Sequence, residues 1–305
     1  MKKAIVLATA LLASSAQATS GLDFGDLNYF LKAGQLNLKS DLAVVNAEQT
    51  DETAGTRSEF NGYVLTNTLG VGIMDNLNVF AGLDYAYKYE TSEPGQPDSD
   101  NSGLSNPYAG ANFRLINQAD SLVNFDLGAV AHIQVMDAEI GTDGKDGTYN
   151  QGNHSLELNS SIGRKWNEAN EWRLTAAVVR NFDGEYDSRS SSGKSKVDTD
   201  ASMDMSLTAA YQYRPVQEFM MNVALQALRV GEVEGKSGGT KVTADAHTDF
   251  NFTFSAKYLI TESIIGKFNY GISRLAEYDV TTGGTTSEQK DVHQNFYGLG
   301  IDLLF

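Results

Sequence analysis

The sequence predicts an all-β chain: a transmembrane antiparallel up-and-down barrel of about twelve strands, with short turns at one end and long loops at the other. Three observations predict it. Apolar and polar residues alternate with period two over rows longer than the usual strand of about 5 to 6 residues. The connectors alternate in length. The two faces of each row differ sharply in polarity, one aliphatic and aromatic, the other a mixture of Asn, Asp, Ser, Thr, Gly, Lys and Arg.

In chain order, the first stretch is a leader. "MKKAIVLATALLASSAQATS" has Lys2 and Lys3, an apolar run from Ala4 to Ala13, and the small-x-small site Ala16-Gln17-Ala18. Residues 1–18 are expected to be a cleaved secretory signal and 19–305 a single barrel domain. The apolar run is shorter than the roughly 20 residues that span a bilayer as a helix, and no other run reaches that length. Cysteine is absent. A fold that closes its own hydrogen-bond network does not need disulfides to survive export. The formal charge is −16, or −18 once Lys2 and Lys3 leave with the leader, the sign opposite to that of a nucleic-acid-binding surface.

The first strand is expected around Tyr29 to Leu42, where alternation is blurred; Lys32, and Asn67 on the second strand, break the apolar phase. Beyond it the pattern is regular. "LNVFAGLDYAYKY" sets Leu77, Val79, Ala81, Leu83, Tyr85, Tyr87 and Tyr89 against Asn78, Phe80, Gly82, Asp84, Ala86 and Lys88. The same alternation returns at Val123 to Val135, in "ASMDMSLTAAYQY" from Ala201, in "DFNFTFSAKYLI" from Asp249, and in the closing "QNFYGLGIDLLF". Brief turns fall near Met74 to Asn76, Asn117 to Asp120, Asn167 to Asn170, Pro215 to Glu218 and Thr261 to Ser263. Long polar loops fall at Val45 to Arg57, Glu90 to Asn106, Asp137 to Asn153, Phe182 to Asp200, Gly231 to Thr243 and Asp279 to Asp291. The outward rows end in aromatics, among them Tyr85, Tyr87 and Tyr89, Tyr211 and Tyr213, and Trp166 and Trp172, which fits girdles at a membrane interface.

Taken together, these residues make the whole mature chain similar to the bacterial outer-membrane β-barrel proteins. That resemblance implies residence in the outer membrane among lipid and lipopolysaccharide. It also implies that the alternating terminal row Tyr297, Leu299, Ile301, Leu303 and Phe305 is read by the barrel assembly machinery, although the same residues would in any case cap the lipid-facing row.

Twelve strands lie between eight-stranded barrels filled by side chains and the 16 to 18 strands that leave a water channel. The inward row is rich in glycine (Gly70, Gly72, Gly82, Gly110, Gly128, Gly163, Gly271, Gly298 and Gly300). Strand curvature explains any one of these; together they are expected to leave space. The inward charges are then the candidate site. Asp84, Asp126, Glu157, Asp204 and Asp249 are expected at mid-lumen and towards the long loops. Arg114, Lys165, Arg173, Arg214 and Lys267 are expected at the short-turn rim, with Lys257 somewhat above it. Rings of charge over a low-dielectric wall set ion selectivity.

The expected function is passive diffusion of ions or small polar solutes through a porin-like channel, weakly cation-favouring, with no cofactor, no metal and no nucleic-acid partner. Two alternatives stay open: a plugged structural or adhesive barrel in which the charges pair across strands, and a hydrolase. Against the hydrolase, His154 and Ser155 are adjacent and point to opposite faces of a strand. An enzyme is not expected.

Overall fold

The computed structural model describes residues 26–305 apart from 53, 54, 93, 94, 96, 143, 151, 191 and 192, so the expected leader lies outside the described residues. Twelve strands form the wall: β1 (Leu36–Asp51), β2 (Thr56–Met74), β3 (Leu77–Ser92), β4 (Tyr108–Ile116), β5 (Asn124–His132), β6 (Ser155–Asn167), β7 (Asn170–Asn181), β8 (Ser202–Val216), β9 (Phe219–Val230), β10 (His247–Thr261), β11 (Ile264–Arg274) and β12 (Thr285–Leu304). Each pairs antiparallel with the next, and β1 pairs with β12 from Asn37↔Leu304 to Asp51↔Gln289. The sheet therefore closes on itself. Closure pairs the backbone groups that a hydrocarbon environment would leave without water.

Side-chain exposure follows the predicted alternation. Leu225, Phe250 and Leu299 are 63%, 64% and 68% exposed on the outer face, within a belt that also includes Leu69, Leu158, Met205 and Leu207. A continuous apolar belt of this kind is a lipid-facing surface, because monomeric soluble proteins rarely expose one. The chain is an all-β transmembrane barrel. Asn67 does stand on that outer row between Leu65 and Leu69, opposite Ser40 and Leu83.

Two sequence expectations are corrected. The first strand runs over Leu36–Asp51, not from Tyr29, and its upper half occupies part of what reads as the first long loop. Residues 29–35 lack alternation because they are not in the wall: they lie inside it. Tyr89, expected in the outer aromatic row, is 4% exposed and faces inward. The cause is a β-bulge. The β2–β3 register jumps between Asn61↔Glu90 and Tyr63↔Tyr87, and Lys88 takes up the extra residue at φ 49°. A bulge re-aims the side chain that follows it.

The long loops are largely regular structure. Hairpins 184–190/193–199 and 233–237/240–244 pair with one another, and 240–244 pairs with 278–282, which continues into β12. Residues 138–141 join 186–189 in a parallel pair. The result is a polar collar above the belt. Its surface pairs include Lys241 with Glu234 at 2.8 Å and Lys290 with Glu52 and Glu288 at 2.8 and 3.1 Å. Hydrogen bonds to these carboxylates raise the Lys241 and Lys290 ammonium pKa values, and the bond from Lys241 lowers that of Glu234.

The lumen as candidate functional site

At the short-turn end the lumen is occupied by the chain itself. Residues 26–35 fold back inside the wall and are held from several strands at once. Arg114 donates to the Asn28 carbonyl at 2.9 Å and Arg173 to the Leu27 carbonyl at 2.9 Å. Glu171 accepts from the Asn28 backbone N–H at 3.2 Å and from its side-chain amide at 3.3 Å. Asp26 takes Lys165 at 3.1 Å, Gln212 at 3.3 Å and the Arg214 guanidinium. Burial pushes the Asp26 carboxyl up, but the Arg214 and Lys165 cations outweigh it and hold its pKa below the ordinary value. Further along, the Asn78 amide can bridge the Leu31 N–H and C=O, both at 3.1 Å, and Gly34 donates to the Gly72 carbonyl at 2.8 Å. Leu31 is fully buried against Phe80, Tyr108 and Val130. Burying such a side chain stabilises by about 1.5 to 3 kcal/mol.

The inward glycines are seats rather than empty space, which corrects the second half of the sequence expectation. A Cβ on Gly82 would overlap the Tyr108 ring, one on Gly110 the Phe80 ring, one on Gly271 the Phe296 ring, and one on Gly62 would crowd Tyr89. On Gly72 and Gly163 it would overlap Lys32 and Asn28 of the inner segment. Glycine lets a ring or a second backbone lie directly against the wall.

What remains is a chamber of about 400 Å³ between the inner segment and an upper aromatic contact. That contact is Tyr89 against Tyr149, ring centroids 5.1 Å apart, with Val45 and Phe296 packed beside them. Tyr149 comes from the loop between β5 and β6, which folds inward. The chamber wall is divided. Strands β12 and β1 to β5 supply Phe296, Val45, Val64, Phe80, Tyr108 and Val130 together with Lys39, Asp41, Thr66, Thr68, Asp84, His132 and Asp302, whereas β6 to β11 contribute no aromatic and present mainly Thr, Asn, Ser and charged groups. Four acids (Asp41, Asp84, Glu157, Asp302) and four bases (Lys39, Arg173, Lys257, Lys267) line it. Lys267 bridges Asp41 and Asp302 at 2.8 and 2.6 Å, Arg173 lies 3.4 Å from Asp126, and Glu157 accepts from Asn159 at 2.9 Å. With its amide turned, Asn222 accepts from Lys257 at 3.0 Å, and Lys39 and Asp84 are engaged too.

Of the sequence-selected charges, Asp84, Glu157, Arg173, Lys257 and Lys267 line this chamber. Asp126 lies below it, bound by Arg114 at 2.7 Å, and Arg114, Lys165 and Arg214 grip the inner segment. Asp204 and Asp249 do not line it. Asp204 accepts from Asn181 and from the Gly231 backbone, both at 2.9 Å, and Asp249 lies 3.6 Å from His247, itself stacked on Tyr278. These two acids brace the base of the collar. In the terminal row, Tyr297, Leu299, Ile301 and Phe305 are exposed on the outer face and Leu303 is half-buried. Sequence reading missed Tyr149 and the inner segment. Only the misfit of Lys32 signalled the latter.

No family model matches the chain, and no curated protein matches it. Among solved structures the barrel is similar to an outer membrane channel from Pseudomonas putida F1, with TM-score 0.59 and 15% identity over 93% of this chain and 100% of that one. The chain has the fold of an outer-membrane channel. At lower scores it is similar in shape to a deletion mutant of the monoaromatic hydrocarbon channel TodX (TM-score 0.49, 11% identity, 92% of both chains). The same holds for the KdgM porin in complex with disordered oligogalacturonate (TM-score 0.44, 8% identity, 86% and 98% of the chains).

Proposed function

We propose that the protein is a narrow outer-membrane channel for passive diffusion of ions and small polar solutes, its short turns periplasmic and its collar extracellular. The observation that carries this reading is the chamber of about 400 Å³, lined by charged, polar and aromatic side chains, inside a closed membrane-spanning barrel. Charges within the chamber are balanced, so a weak preference for cations would come from the acid-rich collar and the overall charge of −16. Potential of one sign at a mouth raises the local concentration of the opposite ion.

The terminal row supports recognition by the assembly machinery, and the apolar belt supports lipid and lipopolysaccharide as surroundings. The seated inner segment favours a second reading, a sealed structural barrel. Planar-bilayer recording of the refolded mature chain under a salt gradient separates the two. Discrete steps with a slightly cation-favouring reversal potential are expected. Silence from the folded, heat-modifiable mature barrel favours the sealed barrel, and steps that appear only once residues 26–35 are removed identify that segment as the seal.

A further inference from the structure

We propose that the chamber is a binding site for a small solute of no net charge that carries a flat apolar body on one side and polar groups on the other, a zwitterion the size of an aromatic amino acid. This rests on the channel reading for access but not for affinity.

Three observations carry it. The volume, about 400 Å³, lies within the range of about 300 to 1,000 Å³ typical of small-molecule sites. The aromatics are confined to one side of the wall: the rings of Phe80, Tyr108 and Phe296 are seated over Gly110, Gly82 and Gly271, so one arc presents fixed ring surface among Lys39, Asp41, Asp84 and Asp302, while the opposite arc offers hydrogen-bonding groups without a single aromatic. Rings locked in place this way stack on a flat apolar body without first being ordered. The charges, finally, are equal in number and already engaged, as in the Asp41–Lys267–Asp302 bridge. A solute with net charge would lose hydration here and unbalance four acids and four bases that already have partners in the wall, whereas a zwitterion or an uncharged amphiphile adds both polar signs at once.

The test uses the refolded full-length mature barrel with L-phenylalanine as the probe, against L-glutamate, L-lysine and L-serine. Two readouts are taken: block of single-channel current, and saturation-transfer NMR on the detergent-folded protein, which needs no conductance. L-Phenylalanine is expected to block and to show transfer at concentrations about tenfold lower than the other three. Phe296→Ala and Phe80→Ala should raise its half-blocking concentration at least fivefold, and the lipid-facing Tyr85→Ala should leave it unchanged. If an alanine variant does not fold, Phe296→Leu and Phe80→Leu, which keep much of the apolar bulk and lose the ring, give the same comparison. Equal response to all four solutes, or a response to L-phenylalanine that survives loss of the rings, overturns the proposal. Transfer without conductance keeps the site and overturns only the channel; conductance without discrimination does the reverse.

Discussion

Lys88 is the one non-glycine with positive φ among the described residues, at 49°. A side chain held there costs on the order of 1 kcal/mol or more. Lys88→Gly is therefore expected to stabilise the barrel by about 0.5 to 1 kcal/mol, and Lys88→Ile to destabilise it by more than that, read from urea midpoints in lipid vesicles. Equal midpoints for the two variants would contradict the bulge assignment. The glycine seats make the opposite prediction. Gly271→Val places a branched side chain where the Phe296 ring lies and should cost about 1 to 3 kcal/mol, with the ring pushed into the chamber and conductance reduced. Neither effect is legible in the sequence: Gly271 fits the inward row whether or not a ring covers it, and Lys88 falls in phase if the strand is assumed regular.

At the level of elements, the lipid-facing rows were readable because burial by lipid imposes a strict period of two, and a one-residue slip reverses every side chain. Deleting Lys88 removes only the bulge residue, leaving Tyr87 outward and Tyr89 inward; that deletion should fold. Deleting Lys257, in a continuous stretch of the β9–β10 register, should not. Heat-modifiable migration distinguishes the outcomes, and failure of both or success of both would contradict the registers described. The inner segment escaped the same reasoning because it obeys no period, being held by point contacts to Arg114, Arg173 and Arg214. Its anchor also sets a pH dependence. Since the Asp26 carboxyl has a lowered pKa when docked, docking is fully stabilised above the ordinary value of about 4 and weakens as pH falls through the lowered one. Conductance should rise as pH falls below about 4, and Asp26→Asn should remove that step. A step near neutrality would point to another group.

For the whole molecule, the fold class, the strand count and the placement of long and short connectors follow from patterning, because a closed barrel satisfies its backbone only in that arrangement. The state of the lumen does not follow, since it depends on which inward charges meet: the basic rim reads as a selectivity ring, yet its members hold residues 26–35 and Asp126. The central claim is that solutes cross through the lumen and that residues 26–35 narrow it at the short-turn end. Its most direct test is the single-channel conductance of the mature chain beside that of a chain starting at residue 36, with Asp26→Asn as a full-length control. Small discrete steps in the first, several-fold larger steps in the second and intermediate behaviour in the control are the expected result. Equal conductance in all three, or silence from the shortened yet folded barrel, would contradict it.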